Sequence, residues 1–139
     1  MTVTPCTADV VRTSVVVVDA SALAALLFGE PDAPVVSAAL DRHALAAPTI
    51  LRYELASVYL KKLKRYAERR SALTEMLQAY PLLAIDEVQP AADELARLAE
   101  QVNLTAYDAA YLWLGRFLSA PIVTLDRRLA EAARSLGLQ

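Results

Sequence analysis

Two hydrophobic rhythms alternate along this chain. The first is the run Val15, Val16, Val17, Val18, closed by Asp19. Four consecutive β-branched residues do not suit an exposed strand, where every second side chain would face water. The run therefore predicts a strand covered on both faces, as in a parallel sheet. The second rhythm is helical. Residues 22–28 read as a short helix, Gly29, Glu30 and Pro31 break it, and residues 32–42 resume with Pro34 in the first turn and Val35, Val36, Ala39 and Leu40 at helical spacing. A weak strand over 43–47 is closed by Pro48, and Thr49 is placed to cap a long helix running to about Tyr66.

Beyond that helix the alternation continues. Residues 68–79 carry Leu73, Met76 and Leu77 on one helical face, Pro81 ends it, and residues 82–85 read as a third strand with Asp86 and Glu87 in the turn after it. Residues 91–102 are amphipathic, with Leu95, Leu98, Ala99 and Val102 inward. The next helix is apolar on several sides (Ala110, Leu112, Trp113, Leu114, Phe117), which predicts a central position. A fourth strand over 122–125 ends on Asp126, and a last helix over 127–136 is closed by Gly137. Strand-helix alternation of this kind gives a parallel α/β sheet.

Composition narrows the class. At 139 residues the chain is one domain, expected over 14–139, after a loosely ordered leader over 1–13 that contains Pro5. A hydrophobic content of 56% is high for this size and points to apolar surface covered by a partner chain. The formal charge of −2 excludes a global basic field, so nucleic acid would have to be met by local patches. The lone Cys6 excludes an intramolecular disulfide and suits a reducing cytoplasm. No segment is long and apolar enough to span a bilayer.

Four acids occupy informative places. Asp19 and Asp126 end strands, at the edge where open α/β sheets bind ligands. Glu54 shares a helix face with Ile50, Leu51, Ser57 and Val58, and a carboxylate on an apolar stripe needs partners. Asp108 follows Thr105 by three residues, which also fits a capping box, just as Asp19 fits a helix cap. If the four converge, each carboxylate pair at roughly 5 Å and an effective dielectric of about 20 repels by about 3 kcal/mol, so the cluster takes up protons or binds a cation. An all-oxygen site suits Mg²⁺, with Mn²⁺ as a substitute. Lys61 and Arg65 continue the Glu54 face, and Arg127 and Arg128 flank Asp126; each is either a phosphate contact or a solvated cation.

Other α/β chemistries fail on residues. With only Gly29, Gly115 and Gly137, neither a dinucleotide fingerprint nor a P-loop is present. A haloacid-dehalogenase-like phosphatase needs an Asp where Ser21 stands, and the single histidine, His43, reads as a surface residue rather than the base of a Ser or Cys hydrolase. Metal-assisted phosphodiester chemistry survives.

The segments VVVVDAS, LRYELASV, TAYDAAYL and VTLDRRLAEAA, in this order, resemble the PIN-domain ribonucleases, and among them the VapC toxins of toxin-antitoxin pairs. The resemblance covers about residues 14–136. It implies a three-layer α/β/α sandwich with a central, mainly parallel sheet of four to five strands. It also implies a site in which Asp19, Glu54, Asp108 and Asp126 bind Mg²⁺ or Mn²⁺, with Ser21 and Thr124 as hydroxyl helpers. The implied activity is hydrolysis of RNA by a cytoplasmic homodimer that an antitoxin protein blocks. Two alternatives stay open: a non-catalytic module of the same fold, and a nuclease acting on DNA.

Overall fold

The β-branched run forms β1 (Val15–Val18), and its side chains divide by parity between two cores. Val16 and Val18 enter one and Val17 the other, each almost wholly buried, a burial that stabilises by roughly 2 kcal/mol per side chain. This is the computed structural model of the protein, and it describes residues 14–139; the expected leader over 1–13 lies outside the described residues. The remaining strands are β2 (Ala44–Pro48), β3 (Asp86–Val88) and β4 (Ile122–Val123). All pair in parallel in the order β3-β2-β1-β4, with Val17 opposite both Ala46 and Ile122.

Helices cover both faces. One layer holds α1 (Ala20–Leu27), α2 (Ala33–Leu40), α3 (Ile50–Arg65) and α4 (Arg70–Gln78), closing over Val16 and Val18 through Leu23, Val36, Leu51, Leu55 and Leu73. The other holds α5 (Ala92–Val102), α6 (Ala106–Leu118) and α7 (Arg127–Ser135), closing over Val17 through Leu98, Tyr111, Leu114 and Leu129. The fold is the three-layer α/β/α sandwich that the alternation predicts, with four parallel strands among the described residues. In this order the chain moves outward from β1 to β2 and β3, then returns to the far side of β1 as β4. The direction of winding thus reverses between β1 and β4, and in such sheets the crevice at the reversal is where ligands bind.

Three local expectations are corrected. The third strand lies at Asp86–Val88, not over 82–85. Tyr80–Leu83 instead forms a short 3₁₀ helix with Pro81 in its first turn, closed by Ala84 in the left-handed conformation (φ 50°), so the chain becomes extended only afterwards. Asp86 and Glu87, expected in a turn, lie within that strand, and the Arg52 guanidinium pairs with Glu87. Thr49 precedes α3 but its hydroxyl caps nothing, because its backbone is already helical (φ −57°, ψ −21°). Finally, β4 stops at Val123, so Thr124 and Leu125 form a loop and Asp126 follows the strand at a distance.

Candidate active site

The C-terminal ends of β1 and β4 carry a hydrogen-bonded circuit. Asp19 leaves β1 in an extended conformation and caps α1, its Oδ1 accepting from the Ala22 amide at 2.9 Å. The Ser21 hydroxyl donates across both carboxylate oxygens at 2.8 and 2.9 Å, and the Thr124 hydroxyl donates to Oδ2 at 2.5 Å. Each hydroxyl also accepts from the β4 loop: Ser21 from the Leu125 amide at 2.9 Å, Thr124 from the Asp126 amide at 3.0 Å. The two hydroxyls therefore tie the loop after β4 to the end of β1. Asp19 is only 4% exposed, and burial raises its pKa against the lowering effect of these donors.

Glu54, half-buried on the second turn of α3, receives the Tyr111 hydroxyl at 2.7 Å. Burial raises its pKa, and the nearby carboxylates of Asp108 and Asp19 push it the same way. Tyr111 is buried at the face of α6 one turn beyond Asp108; desolvation and Glu54 hold its phenol protonated far above the ordinary range. Asp108 stands in the first turn of α6, where its amide donates to Thr105 Oγ1 at 3.2 Å. Only that half of the capping box forms among the described residues, which leaves the Asp108 carboxylate free. Asp126 caps α7, with Oδ1 accepting from the Leu129 amide at 3.0 Å.

The four acids are thus linked through their fields: Asp126 acts on Asp19, and Asp19 and Asp108 act on Glu54. Among the described residues no Lys or Arg pairs with any of them, since the ion pairs engage Asp41, Glu87, Glu30 and Asp93. Yet no three come close enough to hold an ion by themselves. Helix capping explains the spread at Asp19 and Asp126, each of which has one oxygen committed to a backbone amide. An uncompensated all-oxygen donor set still fits Mg²⁺, which keeps several waters and takes one or two carboxylates directly.

Ser21, Glu54 and Asp108 line a cleft of about 800 Å³, together with Tyr53, Tyr107 and Lys61. The basic residues divide. Lys61 faces the cleft, whereas Arg128 lines a separate hollow with Glu131 and Ser135. His43, hydrogen-bonded to Ser14 at 2.7 Å, sits before β2 at the opposite edge of the sheet. In sequence Tyr111 reads as core, because it stands in an apolar helix; the signal that marks it is that a buried phenol needs a partner and that Tyr111 follows Asp108 by three residues.

The sequence matches the PIN domain over residues 16–135. The chain belongs to the PIN-domain family. Among curated PIN-domain relatives it is similar to Ribonuclease VapC3 of Pyrobaculum aerophilum, 33% identical with 83% of this chain and 92% of that protein covered. Ribonuclease VapC9 of Mycobacterium tuberculosis is 31% identical, with 86% and 92% covered. The crystal structure of PAE2754 from Pyrobaculum aerophilum superposes with a TM-score of 0.69 at 26% identity, over 86% of this chain and 84% of that one. These relatives place the chain in the VapC group of PIN domains. No helix among the described residues is long and apolar enough to cross a membrane.

Proposed function

We propose that this PIN domain is a metal-dependent endoribonuclease and the toxin of a toxin-antitoxin pair. The observation that carries the reading is that Asp19 and Asp126, beyond the ends of β1 and β4, and Glu54 and Asp108, in the cleft beside them, have no Lys or Arg paired with them among the described residues. A fold that made no use of them would bear the cost of desolvating Asp19 and Glu54 for nothing. The ribonuclease names of its relatives support RNA as the substrate.

Asp19, Asp108 and Asp126 would hold Mg²⁺ or Mn²⁺, with Glu54 as a fourth ligand or as the residue that orients water. What the ion supplies is positive charge against the phosphate and the leaving oxygen. Asp19 is oriented for its role by Ser21, Thr124 and the Ala22 amide, and cannot turn without breaking the link to the β4 loop. Glu54 is held at Oε1 by Tyr111, which leaves Oε2 to accept a proton from attacking water; its raised pKa makes it a better base. A cognate antitoxin and a second copy of the chain are the proposed partners, and cytoplasm the compartment. Val35 on α2 and Leu60 on α3, exposed and apolar, support a covered surface.

The test is cleavage of a mixed structured-RNA pool by the antitoxin-free protein with Mg²⁺ or Mn²⁺, with EDTA and Asp126→Asn as controls. Discrete products that vanish in both controls are expected. One observation, that no three acids converge, favours the non-catalytic module. That reading predicts no cleavage and no Mn²⁺-dependent rise in melting temperature. Cleavage of DNA with RNA left intact would instead move the substrate while keeping the chemistry.

A further inference from the structure

The cleft holds two aromatic residues that the acid chemistry does not use. Tyr53 on α3 and Tyr107 on α6 are 68% and 63% exposed, and both line it. Each immediately precedes a site acid, Glu54 or Asp108, so each ring lies about 100° around its helix from a carboxylate and one residue nearer the helix start. The two rings therefore stand on the two walls that carry Glu54 and Asp108. Their hydroxyls are unengaged among the described residues, in contrast to those of Tyr59, Tyr80 and Tyr111, which bond to Thr74, Glu87 and Glu54.

The charge of the cleft sharpens the question. Glu54 and Asp108 share the cleft with Lys61, while Glu30, which also lines it, is already paired with Lys62 at 2.8 Å. Without a bound ion, a polyanion entering a cleft with an acidic balance gains little from electrostatic attraction, so contacts indifferent to charge have to supply its affinity. Base stacking on aromatic rings is such a contact, and a base can reach a side chain only when it is not already stacked within a duplex.

We propose that Tyr53 and Tyr107 form a stacking clamp that holds unpaired RNA bases on either side of the phosphate presented to the acids. The inference rests on the ribonuclease reading and deepens it. Lys61, two turns beyond Glu54 on α3, is the cleft cation placed to meet a neighbouring phosphate.

The test measures binding in EDTA, so that no cleavage intervenes, using a short single-stranded RNA carrying 2-aminopurine and the same sequence annealed to its complement. Wild-type protein is expected to bind the single strand in preference to the duplex and to quench 2-aminopurine. Tyr53→Ala and Tyr107→Ala should each weaken single-strand binding by about 10-fold and lose quenching, while Tyr53→Phe and Tyr107→Phe retain both. If the Ala variants bind the single strand like wild type while wild type cleaves RNA with Mn²⁺, the clamp is refuted and the nuclease stands. If the Phe variants fail as the Ala variants do, the hydroxyls and not the rings carry binding, and the clamp is refuted again. RNA neither bound in EDTA nor cut with Mn²⁺ would overturn the nuclease reading and the clamp together.

Discussion

The Tyr111 hydroxyl donates to Glu54 Oε1 at 2.7 Å, joining the buried face of α6 to a carboxylate 57 residues earlier in the chain. Tyr111→Phe keeps the ring and removes only that donor. Since the bond lowers the Glu54 pKa, its loss lets burial push the carboxyl higher. Cleavage should fall by about 10-fold near neutrality, and the acidic limb of the pH–rate profile should move to higher pH. Stability should drop by only about 1 kcal/mol, because half-exposed Glu54 can turn to water. A pH–rate series beside a thermal melt checks both; an unmoved acidic limb would remove Tyr111 from the mechanism.

Burial raises the pKa of both Asp19 and Glu54. The folded state therefore holds these protons more tightly than the unfolded one. The resulting stabilisation is complete below the ordinary carboxylate range and is lost as pH rises through the raised values. Metal-free protein should accordingly lose stability between mildly acidic and neutral pH. Asp19→Asn should flatten that decline, keep the fold and abolish cleavage. Melts across pH in EDTA test this, and equal slopes for wild type and variant would contradict it.

Mn²⁺ should oppose the same decline. On the proposed site, ion and proton would compete for the same oxygens, so the rise in melting temperature on adding Mn²⁺ should be larger near pH 7 than near pH 5. A scanning-fluorimetry titration at the two pH values reads this directly. An equal rise at both would place the ion away from the titrating acids.

Thr124 is the hinge-pin of the β1/β4 link, donating to Asp19 Oδ2 while accepting from the Asp126 amide. Thr124→Val preserves shape and deletes both bonds, whereas Thr124→Ser preserves both. The first should cost about 1 kcal/mol in stability and about 10-fold in cleavage rate. The second should stay close to wild type. Parallel urea titrations and initial rates separate the two effects, and equal rates for Val and Ser would dismiss the hydroxyl.

Gly115 is an ordinary helical residue by its backbone, yet a Cβ there would meet Ile122 Cγ1 and Leu138 Cδ1 at 3.1 Å and the Ala120 carbonyl at 3.2 Å. Gly115→Val should destabilise by about 1–3 kcal/mol through overpacking between α6 and β4. A lowered urea midpoint with an unchanged slope is the expected reading.

What could be read from sequence follows from how local each signal is. Val15–Val18 declare a doubly covered strand within four residues, and Asp19 and Thr105 cap their helices as their positions suggest, whereas the cap that Asp126 makes on α7 is a finding of the structure. Local pattern puts the third strand too early because Leu82, Leu83 and Ile85 look like a strand, while the 3₁₀ turn at Pro81 and the left-handed Ala84 shift the extended segment onward. Ser21 and Thr124 came from the family resemblance, and the structure places both on Asp19. The Tyr111 partner is not legible locally, because Glu54 stands 57 residues earlier on a helix of the other layer. The spread of the acids was hidden too, since a cap and a ligand make the same demand on a short acidic side chain in sequence.

The parity of β1 has a further consequence. A slip of one residue along β4 would send Val16 and Val18 into the core that Val17 fills, and would carry Asp19 about 3.3 Å away from the Thr124 hydroxyl. Correct pairing of the central strand and assembly of the acid circuit are therefore one event. A chain paired out of register thus also lacks the Asp19–Thr124 bond that closes the circuit.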